Sequence, residues 1–587
     1  MADEQKPNAP QAAAPKPPPP PGPPAPPPPK HPGMVTLTID GREVVVKPGT
    51  PVLEAAKKLG IEIPYYCYHS RLTVAANCRM CLVEMSNSPG GKLAPACQAP
   101  VAEGVAVKTD TPRVKDQQRA TLEFLLLNHP VDCAICDQAG ECKLQDYYMV
   151  HDQRPSRLDM AKLQKRKRVE LGPRVTLDNE RCILCTRCVR FMREVAKAPQ
   201  LGVARRGSRS YITAFPGRPL DSKYSVNTVD LCPVGALTAS DFRFQGRVWF
   251  LSSARSVCTG CSRGCSVHLD WKNGVSYRLR PRENEAVNQE WMCDDGRATY
   301  RPFNADRVLR ARVGRGEAGR EAPLAEAVAE AAGVLKGFAA KGQLAAVLSP
   351  AASLEDLLAA CAVARGLGLS EVFAGGRADG WSDDFLKRAD ENPNRKGLEL
   401  AAADAGLAVR TIADLAKAIA DGRARALWAV GAEVPSPTAA AVFARLEAFV
   451  CQAVNANDVA RAATILLPAA PVAEADGTFV NFEGRAQRFE RAYPPRGAAR
   501  THGALCADLA EALGQRPAGR TAREIFAARG AKLPLGEFRW ELPPAPRAFA
   551  LAPPPAGTVD GRVPGTREQP PAEPPPAVAA VLAKVTG

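Results

Sequence analysis

The sequence predicts a multidomain protein with an α+β front half and an α/β rear half. The chain has 587 residues, enough for about three or four domains. Fifteen of its 18 cysteines lie between Cys67 and Cys293. The rear half is rich in alanine and alternates short apolar runs with helical stretches, which is typical of α/β folds. The chain therefore divides into a cysteine-rich half and a cysteine-poor half.

The composition excludes several classes of protein. Hydrophobic residues make up 45% and charged residues 24% of the chain, which excludes disorder throughout. No stretch approaches the roughly 18 uncharged apolar residues that cross a bilayer, so we expect contact with a membrane only through partner proteins. The formal net charge of +15 is spread along the chain, which argues against nucleic-acid binding.

Proline-rich tails flank the predicted domains. Residues 1–33 contain 15 prolines and residues 541–587 contain 12, so neither segment can build a core. We expect a disordered or polyproline II N-terminal tail, and a similar C-terminal tail with a short helix over 577–585. The N-terminus lacks the apolar segment of a signal peptide. In a reducing compartment, metal binding is the leading explanation for so many cysteines.

The first predicted domain is a small β-grasp module. Residues 35–39 alternate as a strand, the Asp40-Gly41 pair is typical of a hairpin turn, and residues 44–46 form the partner strand. A helix is expected over 51–59, and a second helix over 115–127.

Fifteen cysteines and one histidine fall into four groupings of four. They are Cys67, Cys78, Cys81 and Cys97; His129, Cys133, Cys136 and Cys142; Cys182, Cys185, Cys188 and Cys232; and Cys258, Cys261, Cys265 and Cys293. We predict a [2Fe–2S] cluster for the first grouping, because it supplies four thiolates and a loop of small residues that can wrap an inorganic cluster closely. We predict a [4Fe–4S] cluster for each of the others.

The third grouping carries the most specific spacing. C-x2-C-x2-C followed by a distant Cys-Pro is the [4Fe–4S] ferredoxin signature. In two-cluster ferredoxins the Cys-Pro ligand serves the other cluster, but only one such run is present here, so we assign all four cysteines to one site. The fourth grouping, C-x2-C-x3-C-x27-C, also suits a [4Fe–4S] cluster.

The second grouping has only three cysteines, so we expect His129 to be its fourth ligand. The alternatives are that Cys97 or a distant cysteine completes the set, or that three cysteines hold a labile site. Zinc is the alternative for all four groupings, but zinc usually takes two C-x2-C pairs, whereas triple runs suit three corners of a cubane. Four filled sites would hold about 14 iron atoms.

The rear half is predicted to contain a parallel sheet. The clearest strands are residues 345–348 and 426–430, and the clearest helices are residues 324–338 and 439–449. The remaining cysteines lie in apolar contexts interpreted as helical, where small buried hydrophobic residues are their expected role. They are Cys361, Cys451 and Cys506.

One glycine motif is rejected as a nucleotide site. Gly314, Gly316 and Gly319 match G-x-G-x-x-G, but no apolar strand precedes them and no acidic residue suited to a ribose follows on a second strand. We interpret the motif as an interdomain loop. We identify no catalytic residues in the chain and no cofactor site beyond the four groupings.

The order of the four groupings resembles the large iron–sulfur subunit (the G subunit) of bacterial NADH:quinone oxidoreductase, respiratory complex I. Over roughly residues 34–490 the likeness extends to the rear half, which resembles a degenerate molybdopterin-oxidoreductase domain in the segments 427–431 and 466–487. The chain departs from this pattern in its long proline-rich tails and in a rear half that is shorter than usual.

The resemblance implies a fold and a role. The family fold is a β-grasp [2Fe–2S] ferredoxin-like domain, then ferredoxin-like [4Fe–4S] domains, then the degenerate α/β domain without molybdopterin. The resemblance implies electron transfer from an NADH/FMN module toward quinone, with the cluster of the fourth grouping (Cys258, Cys261, Cys265 and Cys293) off the electron path. Implied partners are the NADH/FMN-binding subunit, a small [2Fe–2S] subunit and the quinone-side iron–sulfur and connecting subunits. The implied location is the peripheral arm, on the cytoplasmic face of the inner membrane.

The expected domain divisions are 1–33 (tail), 34–112 ([2Fe–2S] domain), 113–250 (two [4Fe–4S] sites), 251–310 (fourth cluster), 311–540 (degenerate domain) and 541–587 (tail).

Other functions remain open at this point. A catalytic subunit of an NAD-linked formate dehydrogenase shares the cluster array but needs a larger rear half and a molybdenum ligand. An iron-only hydrogenase needs further cysteines after Cys293. A multi-zinc scaffold or nucleic-acid adaptor predicts a colourless protein.

Overall fold

The computed structural model describes residues 33–315, 319–434, 439–536, 538 and 540. The predicted tails therefore lie outside the described residues, except for Gly33, as do the C-terminal helix and Gly316 of the glycine motif. The chain divides into two compact units, Met1–Tyr68 with Val74–Leu122, and His69–Thr73 with Glu123–Gly587. Within the described part, no helix is both long and apolar enough to cross a membrane.

The first unit is built on a mixed five-stranded sheet. Its elements are β1 (Val35–Ile39), β2 (Arg42–Val46), α1 (Val52–Lys58), β3 (Leu82–Met85), β4 (Ala94–Pro95) and β5 (Ala106–Lys108). The strand order is β2-β1-β5-β3-β4, with β1 parallel to β5. Asp40 and Gly41 both have positive φ, as a tight hairpin turn requires. The predicted hairpin and helix are therefore present.

The helix α2 (Pro112–Asn128) runs from the first unit into the second. It begins three residues before the predicted start. Proline is favoured in the first turn of a helix, because its missing N–H has no intrahelical partner there.

The second unit opens with short elements that carry cysteine loops. They are α3 (Lys143–His151), β6 (Val169–Glu170), β7 (Val175–Leu177), α4 (Arg187–Glu194), β8 (Leu201–Ala204), β9 (Tyr211–Ala214), α5 (Asn227–Leu231) and β10 (Leu237–Ala239). An antiparallel sheet and a short helix follow, formed by β11 (Ser252–Val257), β12 (Ser266–Lys272), β13 (Val275–Pro281) and α6 (Asp294–Arg297).

The rear half contains an eight-stranded sheet covered by helices. Its elements are β14 (Ala311–Val313), β15 (Arg320–Ala322), α7 (Leu324–Ala340), β16 (Leu344–Leu348), α8 (Leu354–Gly366), β17 (Glu371–Ala374), α9 (Arg395–Asp404), β18 (Ala408–Arg410), α10 (Ile412–Ala420), β19 (Ala426–Val430), α11 (Ala439–Phe443), β20 (Ala448–Ala453), α12 (Asp458–Arg461), β21 (Ile465–Pro468), β22 (Gly477–Val480), β23 (Ala486–Phe489), α13 (His502–Ala512) and α14 (Ala522–Ala528).

The strand order of this sheet is β15-β14-β21-β20-β19-β16-β17-β18, and its six strands from β21 to β18 are parallel. The central strands β16 and β19 are buried along their whole length, because helices cover both faces of a parallel sheet. The α/β architecture predicted for the rear half is therefore present.

One predicted helix is wrong in part. The helix expected over 439–449 ends at Phe443, and Phe449 lies in the buried parallel strand β20. Alanine favours helices, but the apolar run around Phe449 pairs with β19 and β21, and this burial in the sheet outweighs local propensity. Cys451 consequently lies in a strand rather than a helix, although it is buried as expected.

Candidate metal centres

The first grouping lies in the first unit, around the loop between α1 and β3. Cys67 contacts the thiols of Cys78 and Cys97 through hydrogen bonds, and Cys81 contacts Cys97 in the same way, so the four sulfurs form one connected set. These hydrogen bonds from neighbouring thiols lower the pKa of Cys67 to about 2. Ala76 adopts a left-handed backbone with φ of 49°, which turns the loop around the sulfurs.

The second grouping lies around the end of α2 and the start of α3. His129, Cys133 and Cys142 line one cavity of about 730 Å³. Burial lowers the pKa of His129 to about 4, which keeps its imidazole neutral and its lone pair available to a metal. Lys162 donates to the backbone oxygen of His129 at 2.5 Å and so holds the turn.

The remaining member of this grouping, Cys136, lies against Gly235. A Cβ placed on Gly235 would lie 2.1 Å from Cys136 Sγ, so only a glycine fits there. Burial raises the pKa of Cys136, and it raises the pKa of Cys142 to about 11.

The third grouping lines a single small apolar cavity. Cys182, Cys185, Cys188 and Cys232 all contribute to its wall. Leu184, with φ of 54°, turns the loop so that its N–H donates to Cys182 Sγ at 3.4 Å.

The thiols of the third grouping are buried in apolar surroundings. Burial raises the pKa of Cys182 to about 11 and that of Cys232 to about 12, and it raises the pKa of Cys188 well above its ordinary value. Buried thiolates need compensating positive charge, so four of them together are stable only around a metal or a cluster.

The fourth grouping joins the β11–β12 loop to the start of α6. Its four cysteines are each 5% exposed or less. Gly260 N–H donates to Cys258 Sγ at 3.4 Å, and Gly296 N–H donates to Cys293 Sγ at 3.3 Å. A Cβ on Gly296 would lie 3.1 Å from the first sulfur and 3.2 Å from the second, so glycine gives the sulfurs room.

The residues present fit iron–sulfur clusters in their donor chemistry. Three groupings offer four thiols and one offers three thiols with a neutral imidazole, and backbone N–H groups point at several of the sulfurs. Among the described residues, no group of three or more Cys, His, Asp or Glu side chains is arranged to hold a single metal ion.

The rear half holds a separate cavity of about 420 Å³ at the carboxyl ends of its parallel strands. Ser349 follows β16, Gly431 follows β19 and Val454 follows β20 in its wall. The three rear cysteines are buried in the surrounding core, where burial raises the pKa of Cys361 to about 12. They pack as small hydrophobic side chains, as the sequence predicted.

Two features of these sites had been missed in the sequence. Gly235 contacts the second grouping although it follows a cysteine of the third, and the glycine close behind Cys232-Pro233 was the available signal. Lys387 contacts Gly260 in the loop of the fourth grouping although the two residues are 127 positions apart, and the sequence carries no local signal for this contact.

Family models match five successive parts of the chain. They are a 2Fe-2S iron-sulfur cluster binding domain (33–112), the NADH-ubiquinone oxidoreductase-G iron-sulfur binding region (118–157), the ferredoxin-like domain of NADH-quinone oxidoreductase subunit 3 (172–238), the molybdopterin oxidoreductase Fe4S4 domain (251–304) and molybdopterin oxidoreductase (330–512). The predicted fold class, with cluster domains followed by a molybdopterin-oxidoreductase-like domain, is confirmed.

Curated relatives of this chain are named as subunits of NADH-quinone or NADH-ubiquinone oxidoreductases. The G subunit of NADH-quinone oxidoreductase from Rickettsia bellii is 42% identical over 267 residues, which are 46% of this chain and 39% of that protein. The NADH-ubiquinone oxidoreductase 75 kDa subunit of Reclinomonas americana is 44% identical over 279 residues, 47% of this chain and 39% of that protein. Among solved structures, a chain of an NAD+-reducing [NiFe]-hydrogenase matches 36% of this chain and 91% of its own length at 30% identity and a TM-score of 0.33. The chain thus spans about two fifths of the length of the curated relatives it matches. On these matches the chain is similar to the G subunit of NADH-quinone oxidoreductase over somewhat less than half of its length, 46% in the comparison with the Rickettsia bellii protein.

Proposed function

We propose that this chain is the multi-cluster electron-transfer subunit of an NADH:quinone oxidoreductase, passing electrons from an NADH/FMN module toward quinone. It would hold one [2Fe–2S] cluster at the first grouping and one [4Fe–4S] cluster at each of the other three, with the sixteen predicted side chains as ligands. A cluster with all its iron atoms ligated has no open position for a substrate, so the chain would conduct electrons and contain no complete active site of its own.

The observation that carries this proposal is the contact between the second and third groupings. Lys143, which follows Cys142, donates its backbone N–H to Pro233 O at 3.2 Å, and Pro233 follows Cys232. Gly235 meanwhile packs against Cys136. One four-residue segment therefore contributes to two groupings. Neighbouring redox centres are what an electron conductor needs, whereas a set of structural zinc sites has no need of them.

The partners and the location are part of the same proposal. The chain would assemble with the NADH/FMN-binding subunit, a small [2Fe–2S] subunit and the quinone-side iron–sulfur and connecting subunits. It would reach the inner membrane only through them, on the cytoplasmic face. The clusters of the first three groupings would lie on the electron path, and the cluster of the fourth grouping would lie off it. The domain divisions at 34–112, 113–250, 251–310 and 311–540 follow the same scheme.

Anaerobic metal analysis with low-temperature EPR of the dithionite-reduced full chain tests the proposal. We expect about 14 iron atoms per chain, one [2Fe–2S] signal and several [4Fe–4S] signals. About one zinc per grouping, with no iron, would refute the redox function and favour a structural scaffold. Stoichiometric molybdenum would favour the formate dehydrogenase alternative instead.

A further inference from the structure

A buried ammonium group lies against the fourth grouping. The Lys387 side chain is 2% exposed, and its Nζ donates to Gly260 O at 3.1 Å. Gly260 lies between Cys258 and Cys261 in the sequence, and its own N–H donates to Cys258 Sγ at 3.4 Å. The charge of Lys387 is therefore held at the turn that carries two of the four thiols.

The segment that carries Lys387 is fixed on this loop by several backbone contacts. Ser262 N–H donates to Asp390 O at 2.8 Å, and Arg263 Nε donates to Leu386 O at 3.1 Å. Asp383 accepts the backbone N–H of Lys387 at 2.9 Å. Because hydrogen bonds fix both the segment of Lys387 and the loop of Gly260, the distance between the ammonium and the cysteines is set by the fold and not by a mobile side chain.

Within the described residues, the ammonium of Lys387 pairs with the carboxylate of Glu391. Glu391 Oε1 lies 3.1 Å from Lys387 Nζ, and the Glu391 side chain is 32% exposed. Water screens the carboxylate better than it screens the buried ammonium, so the carboxylate cancels only part of the positive charge at the cysteines. In agreement, the positive charge of Lys387 acts to lower the pKa of Cys258 and of Cys293, against the larger effect of burial.

We propose that Lys387 raises the reduction potential of the cluster held by the fourth grouping, and that Glu391 opposes it. The inference rests on the proposed ligation of that cluster. When the cluster with its four thiolates accepts one electron, its charge changes from about −2 to about −3, with no protein bond formed or broken. A fixed cation stabilises the more negative state and a fixed anion destabilises it. Lys387 is thus a tuning residue that acts through the cluster.

The test is a redox titration of the assembled full chain, with dithionite as reductant and EPR as readout. The signal of the fourth cluster is identified as the one lost in Cys265→Ala. We expect Lys387→Met to lower the ratio of reduced to oxidised cluster at a fixed potential by about threefold to tenfold, where tenfold equals 59 mV for a one-electron couple. Glu391→Gln should raise the same ratio, and Lys387→Arg, which keeps the charge, should leave it within about twofold.

Opposite shifts of the reduction potential in Lys387→Met and Glu391→Gln would show an effect of charge. A loop loosened by the substitutions would instead lower the cluster content in both variants, without moving the potential in opposite directions. Lys396→Met is the matched control, since Lys396 is 49% exposed and pairs with Glu399 at the surface. A fourth-cluster signal that is present but titrates identically in all variants would overturn the role of Lys387. If the unaltered chain lacks that signal and the iron it requires, the proposed ligand set itself fails.

Discussion

Replacing Gly235 by alanine should remove the cluster of the second grouping and leave that of the third. The new Cβ would lie 2.1 Å from Cys136 Sγ and 3.1 Å from Gln138 Cβ. Non-bonded carbon and sulfur atoms need about 3.5–4.0 Å, so Cys136 Sγ would have to move by roughly 1.5 Å. That displacement is comparable with a metal–sulfur bond of about 2.3 Å, and the thiol would be lost as a ligand.

The chain itself should still fold. Gly235 does not have the left-handed backbone that only glycine adopts readily, so the cost is one of overpacking, about 1–3 kcal/mol, against a typical stability of about 5–15 kcal/mol. We expect the iron content to fall from about 14 to about 10 atoms per chain. The EPR signal lost should be the one that Cys136→Ala also removes.

A nearby glycine supplies the matched control. A Cβ on Gly246 would lie no closer than 3.9 Å to Leu251 and Tyr277, so Gly246→Ala should keep all the iron. If Gly235→Ala retains full iron and the second-grouping signal, the packing argument is wrong. Loss of the third-grouping signal instead would show that Gly235 acts through Cys232 and not through Cys136.

Four further substitutions have definite expected results. Cys232→Ala should abolish NADH-to-quinone electron flow in the assembled complex, whereas Cys265→Ala should spare most of it and mainly reduce assembly; equal loss of turnover in correctly assembled complexes would contradict the off-path position of the fourth cluster. The unaltered chain should lose stability as the pH rises from about 5 to about 8, and Glu355→Gln should abolish this loss. The measurement is the Tm of both proteins at pH 5.5 and at pH 8.5. Glu474→Gln should destabilise the rear half by about 3–5 kcal/mol in guanidinium unfolding, because it leaves the buried guanidinium of Arg307 without its full counter-charge.

The sign of the pH effect follows from the burial of Glu355. Its residue exposure is 1%, one carboxyl oxygen accepts the N–H of Thr478 at 2.8 Å, and burial raises its pKa from 4.5 to about 8. The folded chain therefore keeps a proton that the unfolded chain releases above pH 4.5, and this contribution to stability is lost as the pH rises through about 8. A Tm difference between the two proteins that does not change with pH would disprove it.

The Glu474 prediction has a surface pair as its control. Arg310 and Glu321 lie 2.6 Å apart, but their side chains are 74% and 64% exposed. Glu321→Gln should therefore change the unfolding free energy by about 0–1 kcal/mol. Equal effects of the two substitutions would mean that burial does not set the strength of the Arg307–Glu474 pair.

Local signals in the sequence were sufficient for much of the fold. The β1–β2 hairpin is marked by alternation and by Asp40-Gly41, and both turn residues have the positive φ that such turns require. Helix α7, expected over 324–338, begins at Leu324 and ends at Ala340. Residues 444–449 were mispredicted because alanine-rich sequence favours a helix locally, whereas Phe449 is stabilised by strands that lie on both sides of β20.

The candidate sites, like the fold, could be predicted from the sequence only in part. Ligand-type residues close in sequence could be grouped from spacing alone, because C-x2-C turns bring their own sulfurs together. The partners that shape each site come from elsewhere, as Gly235 does for Cys136 and Lys387 does for Gly260. A single sequence carries no record of such contacts, since only the fold brings these residues together.

The segment that joins the second and third groupings also bears on how electrons would pass between them. From Cys232 the backbone leads to Pro233 O, which accepts the N–H of Lys143 at 3.2 Å, and from Lys143 it leads back to Cys142. A cysteine of one grouping is thus linked to a cysteine of the next by covalent bonds and one hydrogen bond. The N–H needed for this link belongs to the chain entering α3, and the carbonyl belongs to a proline, which fixes the backbone on its side. The Cys-Pro pair that marks the third grouping in the sequence therefore also connects it to the second.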